Sequence, residues 1–266
     1  MSLRLRQICL VAHDLDATEK LFADILDLPV CFRDPGVGQF GLHNILSPVG
    51  FSFLEVVSPL PDAENTAAGR YLDRRGGDGG YMVILQTTDE LHPQYKARVA
   101  ERGIRIAHSM DYGEFHGMQL HPRDVGAAIL EIDRNDADPD DPVRPDQPWH
   151  PAGGIGWREL APSSLISNYR GAELQSADPL GLAERWADIL DKPLTIDAHA
   201  NPCVELSDAV LRFVEARDGR GEGLGGLDLG CRDVDAVMAR AADAGLETGE
   251  SMIMLCGMRI RLVPGV

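Results

Sequence analysis

Two glutamates, Glu55 and Glu131, stand within or directly after short apolar runs that have the length of a β-strand. A carboxylate in such a run is seldom buried without a partner, so each residue is either an edge residue facing solvent or part of a site. A carboxyl group held in a pocket can act as a general base. Gln7 lies in the first apolar run, where it either joins such a site or satisfies backbone groups.

Three histidines, His43, His108 and His116, lie in or near predicted loops. An imidazole titrates near neutral pH, so each is a candidate acid or base at the rim of a pocket. His116 is the best placed of the three, and a solvated loop histidine is the alternative. We predict that His116 and His43 contact a ligand. His121, which precedes Pro122, is interpreted as a turn residue.

Composition limits the class of protein. The chain has 266 residues, which suits two domains, and a formal net charge of -17. That charge argues against a nucleic-acid partner and against binding to an anionic membrane surface. The five cysteines are scattered along the chain, and no two of them have CxxC spacing. This pattern is typical of a protein without disulfides in a reducing compartment. With no signal-peptide core and no long apolar run, we expect a cytoplasmic protein.

The chain nearly repeats itself. The segment Ala23–Pro29 returns as Ala187–Pro193, and Asp14 recurs as Asp178 at the same spacing. An ordered run of such matches predicts two copies of one structural unit. We predict an N-terminal domain over residues 1–134, an acidic, proline-containing linker over 135–168, and a C-terminal domain over 169–266.

Each unit shows the same order of elements. An apolar strand is followed by a helix and then by two or three strands, and Asp14 is a plausible N-cap for the first helix. Residues 60–80 are polar and glycine-rich and are predicted as loop. Further helices are predicted over 89–102, 178–190 and 233–244.

Two stretches resemble a known family. The segment His-Pro-Arg-Asp-Val-Gly-Ala-Ala-Ile-Leu-Glu, residues 121–131, is similar to the closing motif of methylmalonyl-CoA epimerase, and the segment 53–59 is similar to the strand that closes a first module. The sequence thus resembles the vicinal oxygen chelate superfamily, which includes glyoxalase I, bleomycin-resistance proteins and extradiol dioxygenases. The resemblance implies an α+β fold of four βαβββ modules, forming two glyoxalase-like domains with curved, cup-shaped mixed sheets.

The resemblance also implies a divalent metal inside a cup, with one ligand from the first and last strand of each module. These positions fall on Gln7, Glu55, Met82 and Glu131. A carboxamide and two carboxylates suit Mg, Mn or Fe, with Co or Ni as alternatives. Met82 replaces a family histidine, and a thioether is a poor substitute for a hard ion. The equivalent C-terminal positions are Gly171, Glu215, Gly226 and Arg261, which predict a structural or lid-forming copy.

Three functions follow from this resemblance. The first is an enzyme of the glyoxalase and epimerase type, a lyase or isomerase, in which Glu131 or Glu55 moves a proton on a small carbonyl or acyl substrate through an enediolate or enolate. The second is a metal-free protein that sequesters an aromatic or apolar small molecule, which Met82 favours. The third is an extradiol dioxygenase. The four-module length of the chain fits this class, but the predicted metal ligands fit it poorly. A homodimer stays open as an alternative to a monomer.

Overall fold

The computed structural model describes residues 3–135 and 144–265, which form two mixed β-sheets, one from each half of the chain. The first sheet has seven strands in the order β2-β3-β1-β4-β7-β6-β5. These strands are β1 (Leu3–Val11), β2 (Leu42–Val49), β3 (Ser52–Pro59), β4 (Gly79–Thr87), β5 (Ile106–Asp111), β6 (Phe115–Leu120) and β7 (Ile129–Asn135).

The second sheet has eight strands in the order β13-β14-β15-β12-β8-β11-β10-β9. These strands are β8 (Ile166–Ser176), β9 (Leu194–Ile196), β10 (Pro202–Glu205), β11 (Val210–Glu215), β12 (Gly223–Cys231), β13 (Thr248–Gly249), β14 (Met252–Leu255) and β15 (Met258–Pro264).

The two sheets have the same connectivity. β1 pairs in parallel with β3 and antiparallel with β4, as β8 does with β11 and β12. β4 and β12 then pair in parallel with β7 and β15. Each half is therefore built from two paired modules, which confirms the predicted α+β architecture and the internal repeat. The first module has three strands, and in place of a fourth it has the single bridge between Phe32 and Leu46.

In the described parts of the chain, the α-helices are α1 (Leu15–Leu26), α2 (Ala67–Arg75), α3 (His92–Glu101), α4 (Pro122–Val125), α5 (Pro179–Leu190) and α6 (Val234–Asp243). Asp14 and Asp178 accept hydrogen bonds from backbone N–H groups in the first turns of α1 and α5, at 2.9 and 3.0 Å. The predicted N-cap Asp14 is thus confirmed, and Asp178 has the same role in the repeat. α2 lies in a region predicted as loop; Thr66 caps it, and Tyr71 and Leu72 pack on the first sheet.

The main hydrophobic core joins both halves, with α1 packed on α6 and α3 on α5. A second apolar cluster lies on the opposite face of the first sheet. None of the helices in the described parts of the chain combines the length and the apolar composition needed to cross a membrane.

The segment predicted as a linker, residues 135–168, overlaps β8, and its residues 136–143 lie outside the described residues. Residues 144–160, which we call the strap, contain two short 3-10 helices, His150–Ala152 and Gly156–Glu159. Arg6 donates hydrogen bonds to the carbonyl oxygens of Pro145 and Gln147, at 2.7 and 3.0 Å. The strap is therefore bound to the first sheet.

Candidate functional site

The inner face of the first sheet encloses a cavity of about 760 Å³, which we call the N-terminal cup. Side chains on a strand alternate between the two faces of a sheet, so residues two apart share a face. Most lining residues on the central strands follow this rule: Gln7 and Cys9 on β1, Glu55 and Val57 on β3, Met82 and Ile84 on β4, and Ile129 and Glu131 on β7. Tyr81 on β4 also lines the cavity, at a point where the pairing of β4 with β1 is irregular. All four positions that the family resemblance singled out therefore lie in one cavity.

Glu55 sits at the centre of a hydrogen-bond network. Gln7 donates through Nε2 to Glu55 Oε2 at 2.8 Å, and Asn44 donates through Nδ2 to Glu55 Oε1 at 2.6 Å. Trp149 of the strap donates through Nε1 to Gln7 Oε1 at 2.7 Å. Burial raises the pKa of Glu55, and hydrogen bonds from Asn44, Cys9 and Gln7 oppose that rise.

Glu131 has a second buried carboxyl group beside it. Asp133 lies two residues further along β7, so its side chain points to the same face of the sheet. Burial raises the pKa of Glu131 to about 7, while hydrogen bonds from Asp133 and Gln119 act in the opposite direction. Burial, followed by the charge of Glu131, raises the pKa of Asp133 well above its usual range.

The surroundings of Asp133 explain why one of these two carboxyl groups stays protonated. With both carboxyl groups ionised, neither oxygen of the fully buried Asp133 has a hydrogen-bond donor among the described residues. An ionised, unpaired carboxylate at this depth would be strongly destabilising. A protonated Asp133 instead donates to the carboxylate of Glu131. Asp133 therefore keeps its proton near neutral pH, and Glu131 is the member that titrates there, so the pair passes from two protons to one as the pH rises through about 7.

Aromatic rings form the rim of the cup. The ring of His150 stacks on Tyr112 and on Phe115, with centroids 5.0 and 5.3 Å apart. On another part of the rim, Phe40 contacts His108 edge to face at 5.5 Å. Phe40 ends a 3-10 helix, Pro35–Phe40, whose N-cap Asp34 donates its backbone N–H to Asn44 Oδ1 at 2.8 Å. This rim segment is thus linked through Asn44 to Glu55.

The structure corrects two predicted ligand contacts. His43 and His116 do not line the cup, because the alternation of side chains turns their neighbours inward: Leu42 and Phe115 line the cavity, and Asn44 contacts Glu55. The ring of His116 lies 3.2 Å from the carboxylate of Asp111 instead. Neither histidine is part of the proposed site, whereas His108 lines the cavity.

Sequence reasoning missed several residues of the cup. Asp133 carried a usable signal, since its spacing of two from Glu131 places both on one face of a strand. Asn44, Trp149 and His150 carried none, because their roles depend on contacts between segments far apart in the chain.

Comparisons with solved structures agree with this architecture. A hypothetical protein from Staphylococcus aureus matches with a TM-score of 0.68 at 11% identity, and the match covers 99% of this chain and 100% of that chain. Each half of this chain consists of two strand–helix–strands modules that together form one cupped sheet. The chain therefore shares its α+β fold with that protein. This finding concerns the fold and leaves the activity open.

Partial matches exist as well. A variant of Streptomyces coelicolor methylmalonyl-CoA epimerase in complex with 2-nitronate-propionyl-CoA is 21% identical over 49% of this chain and 95% of that chain, with a TM-score of 0.42. Methylmalonyl-CoA epimerase from Mycobacterium tuberculosis is 20% identical over 48% of this chain and 85% of that chain, with a TM-score of 0.41. No family model and no curated protein matches the sequence.

The predicted metal site can be compared with the donors that the cup presents. Gln7 turns its amide nitrogen, not its oxygen, toward Glu55, and both oxygens of Glu55 already accept hydrogen bonds. Met82 supplies a thioether in place of an imidazole. Within the described residues, no group of three or more His, Cys, Asp or Glu side chains is arranged to hold a metal ion. In this arrangement the residues do not fit a divalent cation, and metal binding stays a prediction.

The C-terminal sheet carries ion pairs at the equivalent place. Asp228 on β12 accepts hydrogen bonds from Arg212 at 2.8 Å and from Arg261 at 2.9 Å. Glu173 on β8 accepts from Arg212 at 3.0 Å and from Arg259 at 2.9 Å. Arg261, one of the four equivalent C-terminal positions, is thus neutralised by a buried aspartate. Glu215 is exposed and pairs with Arg217.

Proposed function

We propose that the N-terminal cup binds a small, uncharged, mainly apolar carbonyl compound and that Glu131 transfers a proton on it without a metal ion. The observation that carries this proposal is the buried position of Glu131 in a ligand-sized cavity, and this burial raises its pKa to about 7. A general base is most effective when its pKa lies near the working pH. The fold supports the class of chemistry only by analogy.

The lining of the cup supports the choice of ligand. No lysine or arginine lines the cavity in the part of the chain that the structure describes. Three carboxyl groups, those of Asp34, Glu55 and Glu131, do line it, so an anionic ligand would be repelled. Most other lining residues are apolar or aromatic, which favours an apolar or aryl group on the ligand.

The proposed reaction is an isomerisation or exchange at the carbon next to the carbonyl group. Ionised Glu131 takes a proton from that carbon, the electron pair of the broken C–H bond forms a carbon–carbon double bond, and the π pair of the carbonyl group moves to its oxygen to give an enolate. Protonated Glu131 then returns a proton to carbon, so no oxidant or reductant is needed. Tyr81 lines the cavity, and burial raises its pKa to about 12, so it stays a neutral phenol that can donate to the enolate oxygen.

Hydrogen–deuterium exchange tests this proposal directly. Phenylacetone and a panel of related uncharged aryl and alkyl ketones would be incubated with the protein in deuterium oxide and followed by proton NMR. We expect the wild type to accelerate exchange and Glu131→Gln to lose about 100-fold or more of that rate. Glu215→Gln is the matched control, since Glu215 is exposed on the C-terminal sheet, and it should keep the wild-type rate.

A second candidate function is sequestration of an apolar molecule without chemistry. It is favoured by the hydrogen bonds that already occupy Gln7 and Glu55, together with Met82 in the cup. Tight binding of a neutral aromatic compound by both the wild type and Glu131→Gln, without exchange in either, would support this candidate over the first.

A further inference from the structure

Trp149 of the strap decides which end of the Gln7 side chain faces Glu55. Its indole is fully buried, and Nε1 lies 2.7 Å from Gln7 Oε1. An indole N–H can only donate, so the Gln7 atom that it contacts must be the oxygen. The amide nitrogen of Gln7 is therefore directed at Glu55 Oε2, at 2.8 Å.

Turning this amide over would be unfavourable. The Gln7 N–H would then face the Trp149 N–H, and two buried donors would lose their acceptors. The Gln7 oxygen would at the same time face Glu55 Oε2, and the two oxygens would repel unless a cation or a proton lay between them. A divalent cation held by Gln7 and Glu55 requires that turned orientation, because a metal binds the carboxamide through oxygen.

We propose that Trp149 is a positioning residue that locks the Gln7 amide with its nitrogen toward Glu55 and thereby excludes a divalent cation from the cup. The lock comes from the segment between the two sheets and not from the strands that carry the four cup positions. It rests on the cup being the site proposed above. It does not depend on the proton-transfer chemistry, because it concerns metal affinity in the absence of substrate.

The competing explanation is that Trp149 only fills space. The guanidinium carbon of Arg6 lies 5.1 Å from the centroid of the Trp149 ring. The Phe115 ring packs edge to face against Trp149, with the ring centroids 5.5 Å apart. A suitable test therefore removes the N–H group and keeps an aromatic ring, beside a control that makes the same change elsewhere in the strap.

Trp149→Phe and Trp157→Phe form that matched pair. Trp157 is buried in the same strap and contacts Phe53 edge to face at 5.5 Å, but its Nε1 has no hydrogen-bond partner among the described residues. The full chain would be titrated with Mn²⁺ alone by calorimetry, after thermal unfolding has shown that each variant is folded. We expect Trp149→Phe to bind Mn²⁺ about tenfold or more tightly than Trp157→Phe and the wild type.

A second variant leaves Trp149 in place. In Gln7→Glu, one carboxylate oxygen can accept from Trp149 while the other faces Glu55, as the turned amide would. Mn²⁺ affinity should again rise about tenfold or more over the wild type. In Gln7→Met, which has no amide to orient, adding Trp149→Phe should change Mn²⁺ affinity by less than about twofold.

Equal Mn²⁺ affinity in Trp149→Phe and Trp157→Phe, absence of binding in both included, would overturn the proposal. So would a gain from Trp149→Phe that persists in the Gln7→Met background, since Trp149 would then act through packing. If Trp149→Phe does not fold, an unchanged affinity in Gln7→Glu contradicts the proposal by itself. A failure of the ketone-exchange assay leaves all of these outcomes unaffected.

Discussion

Glu131 and Asp133 lie two residues apart on β7, so their two buried carboxyl groups are on the same face of the sheet, the one that forms the N-terminal cup. Two neighbouring carboxylates at this depth cannot both be ionised, because their charges repel and the site is desolvated. At least one proton is therefore held by the pair at neutral pH. In the proposed function, Glu131 of this pair acts as the base without the metal ion that the family resemblance implied.

The first prediction concerns the pH dependence of the ketone exchange. The base must be ionised, so the rate should rise as pH rises through about 7, the pKa of Glu131. Asp133→Ala removes a donor to that carboxylate and should move the midpoint upward by about one pH unit. Asp133→Asn keeps a donor and should stay near the wild-type midpoint. Identical midpoints in the two variants would show that Asp133 does not act on Glu131.

The second prediction concerns stability. The pKa of Glu131 is raised from 4.5 to about 7 by folding, so the folded state holds a proton that the unfolded state releases. The contribution of Glu131 to stability should therefore fall as pH rises between these two values and level off above about 7. Glu131→Gln removes this penalty and should be more stable than the wild type by up to about 3 kcal/mol at pH 8 and by little at pH 4.

Urea unfolding at a series of pH values measures this difference. Glu215→Gln, which changes an exposed carboxylate, should show no such dependence. A stability difference between wild type and Glu131→Gln that is the same at pH 4 and pH 8 would mean that Glu131 keeps an ordinary pKa in the folded protein.

The third prediction concerns Met82. Met82→His places an imidazole in the cup, and imidazole is a far better ligand than a thioether for Mn, Co or Ni. We expect Co²⁺ affinity, measured by calorimetry, to rise about tenfold over the wild type, and to rise further when Trp149→Phe is added. Met110→His is the control, because Met110 also lines the cavity but lies on the distant strand β5. An equal gain in the control would indicate adventitious binding by any added histidine.

The fourth prediction separates the histidines. His150 stacks on Tyr112 and Phe115 at the rim, whereas His116 lies outside the cup. His150→Ala should weaken binding of the uncharged fluorophore N-phenyl-1-naphthylamine about threefold to tenfold, as expected for losing one aromatic contact. His116→Ala should leave the Kd within about twofold. A larger loss in His116→Ala would place the ligand on the other face of the sheet.

Local patterns in the sequence were enough to predict the architecture. Asp14 and Asp178 carry their capping signal within three residues, and the repeated segments around them fix two copies of one unit. Glu55 and Glu131 could be assigned to one cavity because each lies in an apolar strand and matches a family motif.

The remaining features depend on register and on distant contacts. Whether His43 or Asn44 faces the cup is decided by a shift of one residue, which composition does not fix. The contact between Trp149 and Gln7 joins residues far apart in the sequence, and the acidic composition of the preceding stretch indicated only a linker. The same holds for His150, whose aromatic partners come from another part of the chain.

The most direct test of the account is a carbon-13 NMR titration of the side-chain carboxyl groups between pH 4 and pH 9. We predict that one glutamate carboxyl titrates with a midpoint near 7 and that this step is absent from Glu131→Gln. We also predict that an aspartate carboxyl stays protonated through neutral pH and that its signal is absent from Asp133→Asn. If every glutamate carboxyl is fully ionised below pH 6, Glu131 is not the base, and the proposed chemistry of the cup is wrong.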